Sequence, residues 1–228
     1  TGLSGAELKD AWAQIQLARE RMQEPAEELA GHFHAYTKLK ESWNLADYTD
    51  LLVFWLEQIE SDIYMNPFTH VLVDEVQDLT PLQLAVAKAL APGGGEGFFA
   101  IGDPNQSIYS FRGAAGDAAE NLGSAWANLE TIALTDNYRS SQAILDAAHV
   151  LAPESPTLAA RRDIHGEIKL FSAPTAHSEA AWIAERVREL IGSTSHSMAD
   201  AGEGGGLSPG EIAVLVRFKA MTDPVRRA

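Results

Sequence analysis

The sequence predicts an α/β protein in which parallel sheet units follow an N-terminal helical segment. Three observations predict it. Apolar residues recur at helical spacing through the first 66 residues. From Pro67 the rhythm changes to strand, helix, strand with short connections, the pattern of a parallel sheet. A second alternating run starts near Glu130. The expected organisation is therefore a helical segment over 1–66, one α/β unit over 67–128 and a second over 129–228.

The elements follow in order. Leu8, Ala11, Trp12 and Ile15 share a helical face. Leu29, Phe33 and Tyr36 form a second stripe. Tyr48, Leu51, Leu52, Trp55, Leu56 and Ile59 form a third, with Asp47 placed to cap its helix. Core packing accounts for these aromatic residues. Residues 69–74 read as a buried strand. Residues 80–90 read as a helix with strong start signals: Thr80 as cap, Pro81 in the first turn and Gln83 closing a capping box. The glycines of 93–97 mark a turn, and 98–102 a second buried strand. In the second run, 131–134 reads as a strand. Ser140 caps a helix with Ile144, Ala147, Ala148 and Leu151 on its apolar face. Residues 168–171 read as a strand. Ser178 opens a helix carrying Ala180, Ile183, Ala184, Val187, Leu190 and Ile191 on one face. A loop rich in Gly and Ser spans 192–210, and a strand covers 211–216.

Composition excludes several classes. With 46% apolar and 21% charged residues, the 228-residue chain has the make-up of a soluble globular protein. It has the length of one large domain or two modest ones. No apolar run reaches the ~20 residues of a membrane-spanning helix. The absence of cysteine rules out disulfides and thiolate metal sites, and fits a cytoplasmic setting. His32 and His34 stand two apart, a spacing that does not share a helix face. The net charge of −15 argues against a simple nucleic-acid-coating protein. It leaves room for DNA gripped by base stacking with few phosphate contacts. No secretory signal opens the chain. Thr1 in place of Met, and charged residues at 223–228, read as ends cut from something longer.

The chemistry concentrates at strand ends, where parallel α/β sheets face their ligands. Residues 71–78 read Val-Leu-Val-Asp-Glu-Val-Gln-Asp. Hydrolysis of a phosphoanhydride needs Mg²⁺ to absorb charge and a group to orient water. Asp74 would hold the Mg²⁺, mostly through its waters, and Glu75 would polarise the attacking water. A plain surface Asp-Glu at a strand-to-helix turn is the alternative. Gly102-Asp103-Pro104-Asn105-Gln106 follows the next strand. Gln106 carries a neutral donor and acceptor, suited to touching the γ-phosphate and water and losing that contact on hydrolysis. Tyr109, Phe111 and Arg112 come next, aromatics beside an Arg as base stacking requires; packing of Ile108 and Phe111 into the sheet is the alternative. Tyr138 and Arg139 open the second unit. Tyr138 suits stacking on adenine, and Arg139 suits an arginine finger. A local salt bridge within that loop is the alternative.

Taken together and in this order, these motifs resemble motifs II, III and IV of the UvrD/Rep/PcrA helicases of superfamily 1. Asp74 to Asp78 resembles motif II, Gly102 to Ala114 motif III and Asn137 to Ser140 motif IV. Asp47-Tyr48-Thr49-Asp50-Leu51-Leu52 is similar to the family's helix before motif II. Ile212 to Arg217 is similar to a later strand of its second motor domain. The resemblance implies RecA-like, P-loop NTPase-like sheet units with ATP between two motor domains. It implies Asp74 as the Mg²⁺ ligand, Glu75 as catalytic base, Gln106 as γ-phosphate sensor, Arg139 as arginine finger and Tyr138 on adenine. Tyr109, Phe111 and Arg112 would line the single-stranded DNA track, with Phe111 standing where many relatives have Trp. It further implies 3′ to 5′ translocation, unwinding of duplex DNA in repair or replication, a monomeric fragment and no membrane partner.

The departures are large. The chain has no G-x-x-x-x-G-K-[ST] loop. Motifs V and VI would lie beyond Ala228. The chain therefore corresponds to the end of the first helical insert, the distal half of the first motor domain and the start of the second. It is expected to be inactive in isolation. Three other readings stay open: a truncated helicase-like binding module, the helicase part of an AddA/RecB-type helicase-nuclease, and a metal-dependent hydrolase built on Asp74, Glu75 and Asp103.

Overall fold

The computed structural model describes residues 4–61, 63–108, 118–192 and 206–228. The chain divides into two compact units, Thr1–Leu134 with Ala152–Pro156, and Thr135–Leu151 with Thr157–Ala228.

Local capping sets the helices of the first unit. Helix α1 spans Gly5–Glu20, and Ser4 and Glu7 form a reciprocal capping box at its start. Helix α2, Glu27–Trp43, closes on Asn44 in the left-handed conformation that Asn tolerates. Helix α3, Tyr48–Glu60, starts at Asp47, whose carboxylate accepts the Asp50 N–H at 2.8 Å. Ala11 and Ile15 of α1 pack on Leu29 of α2. Strand β1, Val71–Val73, pairs in parallel with β2, Phe98–Ala100. Between them runs α4, Pro81–Leu90, with the expected Thr80 and Gln83 box. Helix α5 spans Ala118–Ala125. One face of α4 (Leu82, Val86, Leu90) packs on Leu56 of α3. Leu84 of α4 packs with Val76, Ala118 and Leu122, and the strand residues Val73, Phe98 and Ala100 close that core. One face of the two strands thus packs on helices, while Leu72, 75% exposed, and Phe99, 57% exposed, mark the other face as open.

A charged knot ties α1, α2 and α3. Arg19 donates to Asp47 at 2.8 Å and to Asp50 at 2.5 Å. Lys40 donates to Asp47 at 2.9 Å and also to Asp50. The Tyr36 hydroxyl donates to Asp47 at 2.9 Å. Burial pushes the Asp47 carboxyl up. The bonds from Arg19, Lys40, the Asp50 backbone and Tyr36 outweigh it, and hold the carboxyl well below the usual range. Tyr36 is pushed up to about 12, by burial first and then by Asp47.

These shifts predict how stability varies with pH. The depressed Asp47 contributes fully above the unfolded value of ~3.9, and that contribution is lost as pH falls below it. The raised Tyr36 contributes fully below ~10, and that contribution is lost as pH rises from there through about 12. Urea midpoints measured across pH should therefore fall on both sides. Asp47→Asn should flatten the acid side; an unchanged acid side would assign it to other carboxyls.

A second tie reaches from α1 to both later helices. Glu20 accepts the Thr49 hydroxyl at 2.9 Å and, on its other oxygen, the Thr80 hydroxyl at 2.8 Å. The capping residue of α4 is thereby anchored to the helical segment.

In the second unit, β3, Asp136–Asn137, pairs in parallel with β4, Ala159–Ala160. Helix α6 spans Gln142–Leu151, α7 spans Ala176–Ile191, and α8 spans Thr222–Arg227. Phe171 stacks on Trp182 of α7 with ring centroids 4.5 Å apart.

Several expectations need correction here. Helix α7 is capped by Thr175, and Ser178 closes its box from inside. Helix α6 starts at Gln142 with Ser141, not Ser140, at the cap position, because the Ser141 carbonyl accepts the first helical N–H, that of Leu145, at 3.2 Å. Residues 131–134, 168–171 and 211–216 form no ladder among the described residues. Leu170 is 99% exposed and Leu215 93%. Their apolar character expresses a preference, but a strand needs a neighbour's N–H and C=O groups and these runs have none. The fold is α/β and mostly helical. Each sheet has two strands among the described residues, short of a full RecA-like sheet.

Candidate active site

Parallel pairing puts the carboxyl ends of β1 and β2 on the same edge of the sheet. Asp74 and Glu75 leave one end, and Ile101 to Gln106 the other. Backbone bonds continue past the strands: Ile101 N–H to Val73 O at 2.9 Å, and Val76 N–H to Ile101 O at 3.0 Å. The two loops are therefore held side by side. Glu75 sits in the left-handed region, at φ 49° and ψ 46°, and starts a single 3-10 turn over Val76–Asp78. Asp103 caps the matching turn, Pro104–Gln106, by accepting the Asn105 N–H at 3.0 Å.

Side chains join the loops in series. The Gln77 amide donates to Glu75 Oε2 at 2.7 Å. Its carbonyl oxygen accepts the Asp103 N–H at 3.0 Å. Asp103 Oδ2 in turn accepts the Gln106 amide at 2.8 Å. The acidic pair and Gln106 thus lie on adjoining loops. The Ser107 hydroxyl donates to the backbone carbonyl of Gln77 at 3.3 Å. Gln77 is the residue that sequence reasoning passed over. Its place between two carboxylates in the motif was the available signal.

Asp74, Glu75 and Gln106 are exposed. One Asp74 oxygen accepts the Glu75 N–H at 2.9 Å. This single strand-end carboxylate fits Mg²⁺, which keeps several waters and takes its remaining ligands from phosphates. No cluster of three or more metal-ligating side chains exists among the described residues. Both Asp103 oxygens are engaged within their own loop.

In the second unit, Asn137 shapes the loop that carries Tyr138 and Arg139. Its side-chain oxygen accepts the N–H groups of Arg139 at 2.9 Å and Ser140 at 2.7 Å. Tyr138 is 63% exposed, and Arg139 is exposed with no ion pair among the described residues. The local salt bridge belongs to Arg161, which binds Asp136 at 2.6 Å. That bond raises the pKa of the exposed Arg161. Tyr109, Phe111 and Arg112 lie outside the described residues.

A strand-end acidic pair beside a glutamine loop, on the carboxyl edge of a parallel pair, is the site architecture of an α/β protein that presents its polar groups at one sheet edge. The chain belongs to the UvrD/REP helicase family: residues 4–125 match the model of the UvrD/REP helicase N-terminal domain. It is 27% identical over 239 residues to the ATP-dependent DNA helicase srs2 of Schizosaccharomyces pombe, covering 99% of this chain and 25% of that protein. It is 27% identical over 219 residues to the ATP-dependent DNA helicase UvrD2 of Mycobacterium bovis, covering 89% of this chain and 29% of that one. It is 31% identical over 175 residues to the ATP-dependent DNA helicase PcrA of Leuconostoc citreum, covering 72% and 23%. The chain thus spans about a quarter of the length of these relatives.

Proposed function

We propose that the chain is the central part of an ATP-driven DNA helicase that moves 3′ to 5′ on single-stranded DNA and unwinds duplexes. Residues 1–66 would close the helical insert of the first motor domain, 67–128 its distal RecA-like half, and 129–228 the start of the second. Asp74 would hold Mg²⁺ through water. Glu75 would take the proton from the attacking water, and Gln106 would contact the γ-phosphate. Arg139 would supply positive charge to the transferring phosphoryl group, and Tyr138 would stack on adenine. Tyr109, Phe111 and Arg112 would contact the DNA strand. ATP, Mg²⁺ and DNA are the proposed ligands, and the cytoplasm the proposed location. Among the described residues no helix is long and apolar enough to cross a membrane.

The observation that carries this reading is the bonded series from Glu75 through Gln77 and Asp103 to Gln106. It supports the reading because the carboxylate proposed to polarise water and the amide proposed to sense phosphate stand on loops bonded to each other. The phosphate-cradling loop is absent from these residues. The purified chain is therefore expected to show no DNA-stimulated ATPase in a phosphate-release assay. A full-length parent carrying that loop should show Mg²⁺-dependent hydrolysis that rises with single-stranded DNA. Robust turnover by the 228-residue chain, or a DNA-indifferent parent, would refute the proposal.

A further inference from the structure

Gln77 is 3% exposed, so its amide is removed from water on both sides. A buried primary amide is costly unless both ends are bonded. Here a carboxylate faces one end and a backbone N–H the other, which fixes the amide's orientation. Gly102 makes the approach possible. A Cβ there would lie 2.5 Å from the Gln77 carbonyl oxygen and 2.7 Å from Val76 Cγ1.

We propose that Gln77 is a positioning residue that couples the Glu75 carboxylate to the Gln106 loop. The inference rests on the hydrolytic roles proposed above for Glu75 and Gln106. Glu75 Oε2 is occupied by the Gln77 amide, which leaves Oε1 to face the attacking water. Asp103, held by Gln77 through its N–H, itself holds the Gln106 amide. A shift of Gln106 when the γ-phosphate leaves therefore pulls on Asp103, then on Gln77, then on Glu75. Water-polarising and phosphate-sensing groups rearrange as one.

Two variants separate the halves of the bridge. Gln77→Glu keeps an acceptor for the Asp103 N–H, loses the donor to Glu75 and sets a like charge beside it. Gln77→Met keeps the volume and loses both bonds. In the 228-residue chain, hydrogen exchange at the Asp103 amide should quicken about tenfold in Gln77→Met and stay unchanged in Gln77→Glu. In the ATP-hydrolysing parent, both variants should lower kcat at least about tenfold with KM for ATP within about twofold. A purely structural role would leave kcat intact in Gln77→Glu, whose fold the unchanged exchange certifies. The proposal is overturned if Gln77→Glu retains kcat within threefold of the unaltered protein, or if Asp103 exchange ignores the Met substitution. Should Gln77→Met fail to fold, Gln77→Glu decides alone. A parent carrying Glu75→Gln runs alongside: full activity there sinks the base assignment, while the exchange experiment still judges the bridge.

Discussion

Replacing Glu75 by Gln in the proposed ATP-hydrolysing parent is expected to slow hydrolysis by about 10²–10⁴-fold while nucleotide still binds. The substitution keeps the side chain's size and one carbonyl oxygen. It removes the charge that would accept a proton from water. Glu75 is exposed at the strand edge, so the loss falls on chemistry rather than packing. The bond from Gln77 to the remaining oxygen can persist, which keeps the loop in place. Single-turnover hydrolysis beside nucleotide binding reads both quantities. Hydrolysis within tenfold of the unaltered rate would move the base elsewhere.

Cutting the charged knot at Asp47 carries the largest expected effect on stability. Its carboxylate accepts bonds from Arg19, Lys40, Tyr36 and the Asp50 backbone. Asp47→Ala strips the capping bond from α3 and leaves two cations sharing Asp50. Breaking a buried ion pair costs about 3–5 kcal/mol, and a lost N-cap about 1 kcal/mol. The Asp47 side chain retains 19% exposure and Asp50 still neutralises part of the charge, so the lower end, about 3 kcal/mol, is expected. Urea unfolding followed by circular dichroism measures it. A loss below about 1 kcal/mol would mean that water replaces the carboxylate at little cost.

The helices of the first unit were legible because their signals are local. The caps Asp47 and Thr80 sit three residues from the groups they serve, and apolar spacing marks the faces of α3 and α4. Strands β1 and β2 were legible as pieces, with ends trimmed where the loops begin. Residues 131–134, 168–171 and 211–216 misled, because an apolar run does not name its partner. The cap of α7 slipped by three residues because Thr175 and Ser178 both have hydroxyls able to bond the first turn. At the site, Asp74, Glu75 and Gln106 announced themselves as residue types at strand ends. The role of Gln77 did not, since a glutamine reads the same whether it faces water or bridges two loops. Asp47 was legible as a cap but not as the centre of a charged knot. Arg19 stands 28 positions away, and only the packed helices bring it near.

The left-handed backbone at Glu75 sets a conformational cost against the bond its side chain makes. A side chain in that region costs roughly 1 kcal/mol that glycine avoids. Glycine would relieve that cost but would strip the carboxylate from the buried Gln77 amide, a loss of about 1–3 kcal/mol that outweighs the relief. Position 75 thus keeps its unfavourable backbone because the neighbouring amide needs its carboxylate, and a glycine there should lower the melting temperature.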